Sequence, residues 1–152
     1  MLMNQILSPT RTLAKVRIQS KKRLLEFIAK EVAREIPGSN PTDIFNAFVA
    51  REKLGSTALG AGLAIPHCRV KECENILGFF IQLESGIDFD AIDGEPVDLF
   101  FALVVPLEAN DEHLRVLSEI ALIFDQSSVL TQLRNTHDIN QLHNIISNVH
   151  AA

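Results

Sequence analysis

Leu99-Phe-Phe-Ala-Leu-Val-Val105 is apolar at every position. A strand with one wet face alternates apolar and polar residues, so a strand built from this run is covered on both faces. Ile76-Leu-Gly-Phe-Phe-Ile-Gln-Leu83 is almost as apolar and also lacks clean alternation. Two such strands call for helices above and below the sheet. The fold class that follows is α/β, a single three-layer α/β/α domain.

The sequence around these runs supplies the helices. Ser20 is an N-cap for a helix reaching about Ile36, with Leu24, Leu25, Ile28, Val32 and Ile36 on one face and Pro37-Gly38 as its stop. Asn40-Pro41 opens a second helix, where proline's missing N–H costs nothing. Its buried stripe is Ile44, Phe45, Phe48 and Val49, and it ends near Lys53. Asn110 or Asp111 caps a third helix to about Phe124, with Leu114, Leu117, Ile120, Ala121 and Phe124 facing inward. Shorter helices follow over 128–135 and 138–148. Residues 12–18 alternate loosely and predict a first strand, and 63–65 a short one. Ser85-Gly86 and Asp93-Gly94 read as turns, and Cys68 to Cys73 as loop. Neither a repeat nor a linker interrupts the pattern, so residues 1–152 read as one domain with a core over about 6–148.

Composition narrows the function. Apolar residues make up 47% of the chain and charged residues 22%, a globular balance that excludes disorder. Nine Phe without Trp or Tyr point to core filling rather than to platforms for stacking bases or sugars. A net charge of −5 repels nucleic acid and suits a partner with a basic face. The basic cluster Lys21-Lys22-Arg23 reads as a solvated helix start. No run reaches the roughly 20 apolar residues of a membrane helix. Pro9, Arg11 and Lys15 stand where a signal peptide needs its apolar stretch, which predicts a cytoplasmic protein without membrane insertion.

Candidate chemistry concentrates in Arg51-Glu-Lys-Leu-Gly-Ser-Thr-Ala-Leu-Gly-Ala-Gly-Leu-Ala-Ile-Pro-His67. Gly55, Gly60 and Gly62 give backbone freedom, and Ser56 and Thr57 add hydroxyls and amides able to hold phosphate oxygens. His67 then stands at the mouth of a packed core, a position that also fits a hydrogen-bonded structural histidine. His113 falls in the first turn of its helix, where the dipole favours the neutral ring. A surface histidine at a helix start fits the same place. Arg51, at the end of the second helix, either reaches an anion held by the glycine loop or simply caps an exposed helix end. His137, His143 and His150 read as solvent-facing.

Other chemistries fare worse. His67, Cys68 and Cys73 place two ligands side by side with no fourth in range, so no metal is expected. A Gly-x-Ser-x-Gly elbow, a Gly-x4-Gly-Lys-Ser/Thr loop and a full Gly-x-Gly-x-x-Gly are all missing, which disfavours that hydrolase class and bound ATP or NAD. No cofactor is expected.

Arg51-Glu-Lys-Leu-Gly-Ser-Thr57, Gly62-Leu-Ala-Ile-Pro-His67 and Phe89-Asp-Ala-Ile-Asp-Gly-Glu-Pro-Val-Asp98 together carry a resemblance. The chain resembles the mannitol/fructose-type enzyme IIA family of the bacterial phosphoenolpyruvate-dependent phosphotransferase system. Ser20-Lys-Lys-Arg23 and the spacing from Pro106 to His113 are similar to its nitrogen-regulatory branch. The resemblance implies a mixed sheet between helices and a phosphotransferase without cofactor. It implies that His67 accepts a phosphoryl group on Nε2 from an HPr-like carrier, with His113 and Arg51 stabilising the transferred group. In this reading the amides around Ser56 and Thr57 hold the equatorial oxygens, and apolar residues at the His67 mouth exclude water. The branch implies regulatory targets such as potassium-transport components or sensor kinases. The alternatives are a sugar-specific enzyme IIA serving a permease and a non-catalytic binding module of the same fold. No IIB or permease segment accompanies the motifs, which points to the regulator. One departure stands out: Cys68 occupies a position that is usually small in the family, and it is expected to alter donor geometry or expose the site to oxidation.

Overall fold

The computed structural model describes residues 3–149, and of residues 112–114 the backbone alone. In chain order its strands are β1 (Thr12–Val16), β2 (Ala58–Gly60), β3 (Leu63–Ala64), β4 (His67–Arg69), β5 (Leu77–Ile87) and β6 (Val97–Val105). The helices are α1 (Lys21–Glu35), α2 (Pro41–Lys53), α3 (Asp111–Phe124), α4 (Ser127–Arg134) and α5 (Ile139–Asn148).

β6 organises the sheet. It pairs antiparallel with β5, and β5 pairs parallel with β1. On its other side β6 pairs parallel with β3 and then with β4. The register of β3 continues unchanged into β4: Leu63 lies opposite Leu99, and His67 opposite Leu103. The two are one strand interrupted at Ile65-Pro66, where proline has no N–H for a ladder. Pro66 still contributes its carbonyl, which accepts from Leu103 N–H at 2.9 Å. The sheet is therefore mixed, as the resemblance implies.

Both faces of the central strands are apolar, for the reason read from the sequence. Successive side chains alternate, so Phe100, Ala102 and Val104 join the core under α1 and α2. Leu99, Phe101, Leu103 and Val105 join a second core under α3, α4 and α5. Leu24, Leu25, Ile28, Val32 and Ile36 are all buried, as are Ile44 and Phe48. Ser20 accepts from Arg23 N–H, and the Asn40 side chain accepts from Thr42 and Asp43 N–H, closing the two helix starts as expected. In α3 the buried face runs through Val116, Ile120, Ile123 and Phe124. The expectation for Leu114 falls outside the described residues.

Several sequence expectations are corrected. β5 runs straight through Ser85-Gly86, because Gly86 lies where a Cβ would strike Pro96 and the strand absorbs the extra residues as a register shift. Residues 57–62 are not an open loop. β2 and β3 pair antiparallel around a turn at Ala61-Gly62, with φ of +56° and +79°. Arg134 holds this turn by donating to Ala61 O while its guanidinium forks onto the Asp98 carboxylate at 2.9 and 3.0 Å. Cys68 lies in β4 rather than in a loop. His143 is half-buried and donates to Leu7 O at 3.0 Å, so it is not solvent-facing; His137 is exposed, and His150 falls outside the described residues. Lys21 is not a solvated helix start either: its ammonium pairs with Glu52 and Asp90, 3.1 Å from each, over the Phe89 ring.

Gly62→Ala tests the hairpin. A Cβ there is strained at positive φ and collides with the Arg134 guanidinium, so stability should fall by about 1–3 kcal/mol. Equilibrium unfolding in urea reads the change; an unchanged midpoint would show that the turn accommodates a side chain.

Candidate functional site

His67 opens β4, and sheet alternation decides where its ring goes. Leu63 and Ile65, of the same parity, enter the core under α3 to α5, so His67 emerges on that side. Ala64 and Cys68, of the opposite parity, enter the core under α1 and α2. Among the described strands β4 pairs with β6 alone, so His67 stands at a sheet edge. A cavity of about 300 Å³ forms there, lined by His67, Arg51, Ser56, Thr57, Leu59 and Ile65 and walled by Leu117, Ser118 and Ala121 of α3.

Two hydrogen bonds fix the ring. Its Nδ1 lies 2.8 Å from Ile65 O, and a carbonyl can only accept, so Nδ1 carries the proton. Arg51 Nε lies 3.2 Å from Nε2, and a guanidinium can only donate, so Nε2 presents its lone pair. The two constraints are independent and select the same tautomer. Burial is the largest influence on the ring's acidity and pushes it below the ordinary histidine value. The bond to Ile65 O opposes that shift, the Arg51 charge adds to it, and Glu52 opposes it. The result is a ring held toward the neutral form, its unprotonated Nε2 bonded to Arg51 beside the cavity that both residues line.

Arg51 reaches the ring because α2 ends beside β4. Its Nη1 donates to Gly55 O at 2.9 Å, which anchors the guanidinium across the helix end. Behind it, Glu52 is only 8% exposed and takes both Thr57 N–H and Thr57 Oγ1–H. That corrects the expectation for Thr57: its amide and hydroxyl are committed to a carboxylate and are not offered to an anion. The Ser56 hydroxyl likewise donates to Phe89 O at 2.8 Å and accepts from Ala58 N–H. The structure thus gathers Arg51, Gly55, Ser56, Thr57 and His67. It does not bring Gly60 and Gly62 to them. Gly60 faces Asp93, and Gly62 lines a separate cavity with Asp98 and Arg134. These glycines serve the positive φ of a hairpin turn rather than the approach of an anion.

His113 is the third residue of α3, as expected, one helical turn before Leu117 on the row that continues to Ala121. Its ring lies outside the described residues. Arg69 fixes the approach to this helix by donating to Leu107 O and Ala109 O, each at 2.6 Å.

Cys68 answers its own question by parity. The thiol lies on the other side of the sheet from the His67 ring, and burial, then the neighbouring Cys73, pushes its pKa up to about 12. A buried thiol of that kind is inert, contrary to the expected oxidation sensitivity. Among the described residues no cluster of His, Cys, Asp and Glu has the form of a metal site, and no helix is long and apolar enough to cross a membrane.

Glu52 and Lys21 are the residues that sequence reasoning missed. A signal existed for the first: Ile44, Phe48 and Glu52 follow one another at i, i+4 and i+8, so the buried stripe of α2 runs directly onto the carboxylate.

Comparison with known proteins places this geometry in a family. Residues 5–149 match the model for "Phosphoenolpyruvate-dependent sugar phosphotransferase system, EIIA 2". A nitrogen regulatory protein of Pseudomonas aeruginosa is 47% identical over 147 residues, 97% of this chain and 96% of that protein. The crystal structure of nitrogen regulatory protein IIA-Ntr from Neisseria meningitidis superposes with a TM-score of 0.90 at 39% identity, covering 95% of this chain and 98% of that one. The mannitol IIA of Escherichia coli, at 21% identity and a TM-score of 0.75, covers 92% of this chain and 98% of its own and shares the fold.

Two measurements check the electrostatics. By NMR titration, His67 should have its midpoint below about 6.5, and Arg51→Met should raise that midpoint by removing the nearby positive charge. Between the lowered folded midpoint and about 6.5 the unfolded chain binds the proton more readily. Stability from this residue is therefore complete above that window and lost as pH falls through it. Separately, the Cys68 thiol of the folded protein should resist thiol reagents at neutral pH and react only on unfolding. Rapid labelling of native Cys68 would contradict its burial.

Proposed function

The chain belongs to the EIIA 2 family of the phosphoenolpyruvate-dependent sugar phosphotransferase system, and from that premise we propose that His67 is the residue that carries the phosphoryl group. The protein is a phosphotransferase of the phosphocarrier type with a regulatory role, as its kinship with nitrogen regulatory proteins over nearly its whole length supports. The mannitol neighbour is too distant in sequence to argue for a sugar-specific role. The observation that supports the assignment to His67 is the tautomer: Ile65 O holds the proton on Nδ1, and Nε2 is the unprotonated nitrogen, accepting from Arg51 beside the cavity that both residues line.

In the proposed reaction the phosphoryl donor is a phosphohistidine on an HPr-like carrier. Nε2 of His67 attacks phosphorus in line, the new N–P bond forms, and the carrier's P–N bond breaks with its electron pair returning to the carrier's ring. As Nε2 gives up its lone pair, the His67 ring becomes cationic, and its Nδ1–H bond to Ile65 O strengthens. Arg51 Nε then has no acceptor on Nε2 and turns to the phosphoryl oxygens, still anchored through Nη1 to Gly55 O. We assign His113, on the row of α3 that walls the cavity, to the same oxygens. The exposed Leu54 and Leu59, at 84% and 53% exposure, form an apolar rim for the carrier. Phosphorylation places about −2 charge beside that rim, so the two forms present different surfaces to regulatory targets, among them potassium-transport components or sensor kinases. Such a relay belongs in the cytoplasm, with residues 1–152 acting as one domain.

The test is incubation with phosphoenolpyruvate, enzyme I and the HPr-like carrier. Wild-type protein should gain one phosphoryl group that is acid-labile and stable in base, and His67→Ala should gain none. An acid-stable label, or label on the variant, would refute the assignment. His113→Ala should still accept the group but pass it on, or keep it, less well.

A further inference from the structure

We propose that Glu52 is the positioning residue of the phosphoacceptor, closing residues 52–57 into a clamp whose two ends hold the two nitrogens of the His67 ring. The proposal rests on the reading of His67 as the site of phosphorylation.

The clamp can be followed bond by bond. The Glu52 carboxylate accepts from Thr57 N–H at 3.2 Å and from Thr57 Oγ1–H at 2.5 Å. Thr57 O accepts from Ile65 N–H at 3.1 Å, and Ile65 O accepts from His67 Nδ1–H at 2.8 Å. At the other end, Arg51 directly precedes Glu52 and donates to Nε2 at 3.2 Å. One nitrogen is therefore tied to the strand side of the clamp and the other to its helix side. Within the clamp, Leu54 and Gly55 are exposed and Gly55 sits at φ +143°, and the segment is tied elsewhere by Arg51 to Gly55 O and by Ser56 to Phe89 O. The carboxylate is the tie that joins the helix end directly to Thr57, and through Thr57 O to Ile65.

A buried carboxylate needs a counter-charge, and Lys21 supplies one at 3.1 Å while also pairing with Asp90. Glu52 is not among the residues that line the His67 cavity, although its charge is felt at the ring. Its role is to keep Arg51 and Ile65 in register around the ring, which is where small displacements cost most in a transfer between two positioned groups.

Glu52→Ala removes the clamp, whereas Glu52→Gln keeps its length and can still bond Thr57. Two readouts are needed: the rate of phosphoryl uptake from the phosphorylated HPr-like carrier, and the tautomer of His67 from its ring nitrogen-15 shifts. In Glu52→Ala the uptake kcat should fall roughly tenfold to hundredfold with KM for the carrier within about twofold, and the single Nδ1–H tautomer should become a mixture. Glu52→Gln should recover uptake to within about threefold. A folded Glu52→Ala protein with wild-type uptake and a single tautomer overturns the proposal, as does a Glu52→Gln protein as impaired as Glu52→Ala. If Glu52→Ala does not fold, Thr57→Val removes half of the clamp; a native tautomer and rate in that variant also overturn the proposal. Absence of uptake by the wild type would defeat the phosphoacceptor reading, while the nitrogen shifts would still decide whether Glu52 holds the ring.

Discussion

From Leu99 to Val105 the strand β6 has no face that water can occupy, and from that constraint most of the molecule follows. Phe100, Ala102 and Val104 need cover on one side, and Leu99, Phe101, Leu103 and Val105 on the other. Helices α1 and α2 supply the first cover and α3 to α5 the second. A strand laid beside β6 inherits the same two-sided division. When β3 and β4 do so, they divide their own residues between the two cores, and the division fixes which way the imidazole points. The site is thus oriented by the most buried part of the sheet rather than by the segment that carries it.

The site itself balances opposing influences on one ring. Burial and Arg51 favour the neutral form, and the Ile65 carbonyl and Glu52 favour the cation. In the proposed transfer the neutral ring is the nucleophile, and the same ring turns cationic once Nε2 has bonded to phosphorus. A pocket that favoured the neutral form alone would resist the product. Ile65 O, which accepts from Nδ1–H, suits the ring in both states of that proposal. In the same proposal Arg51 changes partner from Nε2 to the phosphoryl oxygens while Nη1 keeps its bond to Gly55 O.

The layers and the helices were legible in the sequence because they depend on periodicity. The stripe from Leu24 to Ile36 and the apolar runs at 76–83 and 99–105 declare their buried faces directly. His67 and Arg51 were legible as candidates because each sits at the end of such an element. What periodicity could not reveal was pairing over distance. Thr57 looks like an exposed donor until a carboxylate five residues earlier is seen to take both of its donors. Lys21 looks like a solvated charge until Glu52 and Asp90 close around it. Gly60 and Gly62 look like an anion loop because glycine in a hairpin turn and glycine in a phosphate cradle leave the same mark in a sequence. Ser85-Gly86 looks like a turn because its packing partner, Pro96, is ten residues away.

The unbroken register across Ile65-Pro66 also limits how this chain can change its length. From the turn at Ala61-Gly62 to His67, each residue added or removed reverses the side of the sheet on which everything beyond it emerges. A single deletion there would turn the imidazole into the core that holds Phe79, Phe100 and Val104 and bring the Cys68 thiol out in its place. Only paired insertions would keep the histidine facing α3. The hairpin before the turn and the segment after Val70 carry no such rule. The length of one five-residue stretch is therefore quantised in twos by the pleat of the sheet itself.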